Sequence, residues 1–171
     1  MTAGKPAEQS PIPGEATLPS VQFDVQTSLP PDRVIAMLTD FSKTRPETWP
    51  GLWEGAYEVY SVGQTSAEIR EGNRSPRVWA RERYDWSTPG VVRWEVVESN
   101  FCTPGGFVRV EVKSWEGGGS RLRVSWSRSP KSALGAFITT LIKLTGGAPV
   151  RASLNAGLKK AERSAPNSTP R

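Results

Sequence analysis

Between Lys131 and Arg163 the residues Leu134, Phe137, Ile138, Leu141 and Ile142 fall at i, i+3, i+4, i+7 and i+8, the stripe of one helix face. Five large apolar side chains on one stripe need a broad apolar surface to lie against. The chain from Val21 to Ser127 reads as short strands able to supply it. The helix cannot be continuous, because Gly146-Gly147-Ala148-Pro149 interrupts it, and a proline within an unbroken helix costs about 3 kcal/mol. A second apolar set follows at Val150, Leu154, Leu158 and Ala161. The spacing predicts one bent helix or two in series, with Pro149 near the first turn of the second.

Ahead of that segment, Val21, Phe23 and Val25 alternate with Gln22, Asp24 and Gln26, the pattern of a half-buried strand. Leu29-Pro30-Pro31-Asp32 ends it and opens a helix whose buried face is Val34, Ile35 and Leu38, with Met37 beside them. Asp40 to Leu52 is a loop or a short second helix, closed by a turn at Trp49-Pro50-Gly51-Leu52. Six further strands follow in a meander, from Tyr57 to Val62, Thr65 to Glu71, Arg77 to Trp86, Val91 to Glu98, Phe107 to Trp115 and Arg121 to Ser127. Strands segregated from helices imply an α+β fold. A curved antiparallel sheet of about six to seven strands would wrap the long C-terminal helix, kinked near Gly146-Pro149. The domain is expected to span 21–164, with Pro-rich residues 1–20 and the tail 165–171 disordered.

Several chemistries are excluded by what the chain lacks. Without histidine there is no Ser-His or Cys-His nucleophile pair, and one cysteine with no histidine cannot build a zinc site. No glycine cluster has a dinucleotide or P-loop spacing. The expectation is therefore no metal and no nucleotide cofactor. The formal charge of +5 comes from basic residues dispersed without a Lys/Arg run, which reads as a solvated surface and not as a nucleic-acid footprint. Cys102 alone cannot form an internal disulfide, residues 1–20 hold no apolar signal core, and Leu134 to Leu144 is too short to span a bilayer. A cytoplasmic protein without stable membrane insertion is the expectation.

The run Val21-Gln-Phe-Asp-Val, then Pro30-Pro31-Asp32-Arg33-Val34, Leu38-Thr39-Asp40 and Thr48-Trp49-Pro50-Gly51, resembles the opening of the START-like helix-grip (SRPBCC) superfamily. Within it, Arg83-Tyr-Asp-Trp-Ser-Thr-Pro89 with Val92-Arg-Trp-Glu-Val96 is similar to the central hairpin of the polyketide cyclase/dehydrase and lipid-transport group. Ser153-Leu154 with Leu158-Lys159-Lys160 resembles its helix end. The resemblance covers about residues 21–163 and implies an internal cavity between sheet and long helix that holds a lipid-like, polyketide-like or aromatic molecule. It carries no catalytic residue across to this chain.

Glu82 is the most informative single side chain. From Val78 to Trp86, the alternation puts Val78, Ala80, Glu82, Tyr84 and Trp86 on the apolar face, so Glu82 points toward the cavity. A carboxylate buried there needs a partner or takes up a proton. It is a ligand anchor or acid/base group, or it is simply paired with a neighbouring arginine or left wet at the pocket mouth. Arg109 becomes a candidate partner if its strand is inverted. Seven tryptophans are many for 171 residues, and Trp86, Trp94 and Trp126 fall on apolar faces, as core packing or as stacking surfaces for a ring-shaped ligand.

The candidate ligand-binding residues are thus Glu82, Tyr84, Trp86, Trp94, Trp126, Leu134, Phe137, Ile138 and Leu141. Three functions compete. The first is binding of a small hydrophobic ligand in the cavity. The second is a polyketide cyclase, aromatase or dehydratase using Glu82 and Tyr84 as acid/base. The third is a peripheral module whose Leu134 to Leu144 face docks outside the fold.

Overall fold

A computed structural model describes residues 20–164; the disorder expected for 1–20 and 165–171 lies outside the described residues, Ser20 apart. Strand β1 (Val21–Thr27) is followed by α1 (Pro31–Leu38) and the one-turn α2 (Arg45–Thr48). Then come β2 (Glu58–Val62), β3 (Ser66–Asn73), β4 (Val78–Asp85), β5 (Val91–Ser99), β6 (Phe107–Ser114) and β7 (Ser120–Ser127). Helices α3 (Ala133–Leu144) and α4 (Ala148–Ser164) close the chain. The seven strands form one antiparallel sheet in the order β1-β7-β6-β5-β4-β3-β2.

Period-two alternation gives the sheet one apolar face. Cross-strand register lines up Ala67, Tyr84, Trp94, Val108, Trp126 and Val21 in one row across six strands. Val92, Val110, Val124 and Phe23 make the next row. Against this face lie Val34, Met37 and Leu38 of α1 and Leu154 and Leu158 of α4, all buried. Pro31 opens α1, where its missing N–H costs nothing.

Two helices in series, and not one bent helix, end the chain. Their axes differ by 79°. Gly146 and Gly147 at the corner have φ of 58° and 83°, a region L side chains rarely adopt. A Cβ on Gly147 would also stand 2.8 Å from atoms of Phe23 and Val21. Pro149 sits in the first turn of α4, as the sequence predicts. At the far end of α4, Glu162 accepts hydrogen bonds from Thr27 Oγ1 (2.6 Å), Ser28 N (2.9 Å) and Ser28 Oγ (2.9 Å).

The expected core stripe of α3 is corrected by the structure. Gly135, Thr139 and Ile142 are the buried positions of this helix, and Ile138 is half-buried. Leu134, Phe137 and Leu141 face outward. The cause is Gly135: a Cβ there would overlap the carbonyl oxygen of Phe101, so α3 can approach that segment closely only with a glycine at this position. The close approach sets the rotation of the helix. Ser132 caps its start, its Oγ accepting from Gly135 N at 3.1 Å.

Candidate functional site

The sheet, the loop around Trp49 and helices α3 and α4 line a cavity of about 680 Å³ that is open on one side, within the range of small-molecule sites. Much of its wall is apolar, with Val108, Val110, Val124 and Trp126 from the sheet and Ile138, Ile142, Val150 and Leu154 from the helices. The polar part comes from two ion pairs and a tyrosine: Arg128 with Glu82, Arg45 with Glu71, and Tyr84.

Glu82 points inward from β4, as its alternation predicts, and is 3% exposed. Its partner is Arg128, one residue past the end of β7, whose Nη2 donates to Glu82 Oε1. Arg109 is not the partner. Strand β6 keeps Val108, Val110 and Val112 buried, and Arg109 pairs instead with Glu111 at 3.3 Å. Burial pushes the Glu82 carboxyl up to about 7, against the pull of Arg128. For Arg128, burial works against the charge, but the Glu82 carboxylate outweighs it and holds the guanidinium above its ordinary value. Arg128 Nε has no hydrogen-bond partner among the described residues. The unpaired Nε is itself closed off, so the polar group this corner presents to the cavity is the Arg128–Glu82 pair.

The second pair is saturated. Arg45 from α2 donates through Nε to Glu71, through Nη1 to the carbonyls of Leu38 (3.2 Å) and Asp40 (2.9 Å), and through Nη2 to the Tyr84 hydroxyl (3.2 Å). Tyr84 in turn donates to Glu71 Oε2 at 3.1 Å. Burial and the Glu71 carboxylate hold the Tyr84 hydroxyl well above its ordinary value, so it stays protonated at neutral pH. Its ring stacks on Trp94 at 5.0 Å and 12° and meets the edge of Phe41 at 4.9 Å. This arrangement positions; it has few free donors of its own.

Of the side chains singled out in the sequence, Glu82, Tyr84, Trp94, Trp126 and Ile138 line the cavity. Trp86 does not; it packs beside Phe41, with centroids 5.7 Å apart. Leu134, Phe137 and Leu141 stand on the outer face of α3, for the reason given above. Sequence reasoning missed Arg45, Glu71 and Arg128. Two of them were signalled. Glu71 continues the inward alternation Ala67, Ile69, and Arg128 continues Leu122, Val124, Trp126. Arg45 lies in a segment without periodicity, and nothing marked it.

No protein-family model matches the chain, and no curated protein is significantly similar to it in sequence. Solved structures are similar in fold. The Zhui aromatase/cyclase from Streptomyces sp. R1128 superposes with a TM-score of 0.70 at 15% identity, covering 88% of this chain and 98% of that one. A START superfamily protein from Mycobacterium smegmatis gives 0.68 at 10%, covering 85% and 98%. Norcoclaurine synthase from Thalictrum flavum, in complex with dopamine and hydroxybenzaldehyde, gives 0.63 at 12%, covering 94% and 100%. With its seven antiparallel strands and terminal helices, the chain has the START-like helix-grip fold.

Proposed function

We propose that this protein binds a small hydrophobic molecule in the cavity between its sheet and its C-terminal helices. The observation that carries the reading is an apolar-walled cavity of about 680 Å³ with a single ion pair, Arg128 with Glu82, set at one end of its wall beside the Arg45–Glu71–Tyr84 group. Apolar burial at about 25 cal/mol per Å² supplies affinity, and the Arg128–Glu82 pair is the polar group nearest a ligand's own polar atom. The aromatic rings of Trp94 and Trp126 in the wall suit a flat or ring-shaped molecule. A structural relative that holds dopamine and hydroxybenzaldehyde supports the same size and chemical class. We place the protein in the cytoplasm, a reading supported by its lone, buried, unpaired Cys102.

Native mass spectrometry of the purified protein tests this, together with a fluorescence titration of 1-anilinonaphthalene-8-sulfonate. The expected result is a co-purifying small molecule, or saturable one-site binding of the dye, lost when Ile138→Trp fills the cavity. Absence of both in the wild type, or dye binding indifferent to Ile138→Trp, overturns the reading.

One observation favours a second reading, a cyclase or dehydratase without metal or nucleotide cofactor. Glu82 is buried in the cavity wall with its pKa pushed up to about 7, where a carboxyl can both give and take a proton. Of the two acid/base candidates Glu82 is the better placed, since the Tyr84 proton is committed to Glu71. A Glu82→Gln variant that binds ligand but loses turnover, with its pH-rate profile, would carry this reading; retained turnover would sink it.

A further inference from the structure

Helix α3 is built inside out. Its buried positions are the small or polar Gly135 and Thr139, with Ile142, while its large apolar residues face solvent: Leu134 is 41% exposed, Phe137 67%, Leu141 43% and Leu144 82%. These four fall at i, i+3, i+7 and i+10, one continuous face of three turns. The remaining exposed positions of the helix are Ala133, Ala136, Thr140 and Lys143. No single helix is long and apolar enough to cross a membrane.

The charges around this face have one sign in sequence. No Asp or Glu occurs between Glu116 and Glu162; Lys143 stands exposed in the last turn of α3, Lys131 before its start reaches the Ser99 carbonyl at 2.9 Å, and Arg151 on the first turn of α4 lies over the Phe23 ring at 4.9 Å. Two copies joined through α3 would set cation against cation, with no acid of the same segment to answer them. A nucleic acid would satisfy the cations but leave Phe137 and Leu144 in water. Apolar side chains with cations at both ends and no acid in the segment match a surface that is anionic at its headgroups and apolar just beneath.

We propose that the outer face of α3 docks on an anionic phospholipid bilayer, with Phe137, Leu141 and Leu144 entering the headgroup–acyl boundary and Lys143 meeting the headgroups. The helix lies in the interface plane and does not span it. The opposite side of the same helix walls the cavity through Ile138 and Ile142, so docking acts on a cavity wall directly. The proposal does not depend on what the cavity holds, and cavity filling by Ile138→Trp leaves docking intact.

Sedimentation with phosphatidylcholine vesicles and with mixed phosphatidylcholine–phosphatidylglycerol vesicles tests it. The wild type is expected to bind the mixed vesicles, to release progressively as salt rises, and to bind phosphatidylcholine alone only weakly. Phe137→Ser with Leu144→Ser, at two of the most exposed positions of the helix, should keep the fold by circular dichroism and lower vesicle binding about tenfold or more. Lys143→Glu should weaken binding to the mixed vesicles only. Failure of the wild type to bind either vesicle overturns the proposal. So does binding unchanged by the double substitution. A wild-type dimer that the double substitution turns into a monomer, with no vesicle binding, overturns it in favour of a second copy.

Discussion

Arg128 and Glu82 meet across the inner face of the sheet from positions 46 apart in the chain, a cation on a buried carboxylate. Neither strand could bury its charge alone. Removing one partner leaves the other stranded, which in comparable buried pairs costs about 3–5 kcal/mol. Arg128→Met should therefore destabilise more at pH 8, where Glu82 is ionised beside Arg128 and in the variant must take up a proton to stay buried. It should cost much less at pH 5, where Glu82 carries a proton. Urea denaturation at the two pH values measures the difference; equal losses at both would show that the charge is not the cause.

The same carboxyl makes stability depend on pH in an unusual direction. Burial lifts Glu82 from 4.5 to about 7, so between those values the folded protein holds a proton the unfolded chain has released. Stability from this group falls as pH rises through that window and is level above it, by on the order of 3 kcal/mol at most. Asp24, Glu68, Asp85 and Glu162 are shifted down. They contribute stability that is lost as pH falls below about 4.5, a separate range. Glu82→Gln should abolish the decline between pH 5 and 7 and leave the acid limb untouched in denaturation curves taken across pH.

Tyr84→Phe removes a hydroxyl bonded to both Arg45 and Glu71 and leaves the ring on Trp94. Two buried partners each lose a bond, so a loss of about 1–3 kcal/mol is expected. Tyr57, whose hydroxyl burial pushes up to about 12, has no partner to lose among the described residues. Tyr57→Phe should be close to neutral. Thermal denaturation of the two variants side by side checks the contrast.

Gly135→Ala places a methyl on the Phe101 carbonyl oxygen. Helix α3 must lift or rotate, at a cost of about 1–3 kcal/mol, and the wall formed by Ile138 moves with it. Ala136→Gly, one position along and exposed, loses only helix propensity, about 1 kcal/mol. A larger loss for Gly135→Ala in chemical denaturation, with changed dye affinity for the cavity, is the expected pair of results.

The sheet was legible because its signal is local. Alternation over five or more residues decides which way Glu82, Trp94 and Trp126 point, and a strand has only two choices. Helix α3 was misread because a helix has a continuous range of rotations. With apolar residues nearly all round it, periodicity in hydrophobicity leaves the phase open. Smallness settled the matter: Gly135 permits contact where a leucine forbids it, and small residues carry no hydrophobic signal. Arg128 was missed for a different reason. The face it shares with Trp126 runs past the last laddered residue, Ser127, and the strand was taken to end the pattern. Arg45 depends on contacts to Leu38, Asp40, Glu71 and Tyr84, a tertiary arrangement no short window contains.

Helix α4 is measured against strand β1. Its first end rests on Val21 and Phe23 through Gly147, and its last is clasped by Thr27 and Ser28 through Glu162. Seven residues of strand span roughly 23 Å and fifteen of helix about 22 Å, so the two lengths agree. A rod pinned at both tips to one rail has no room to swing. That tie fixes where Val150 and Leu154 stand along the sheet, and so how wide the hollow beside them is.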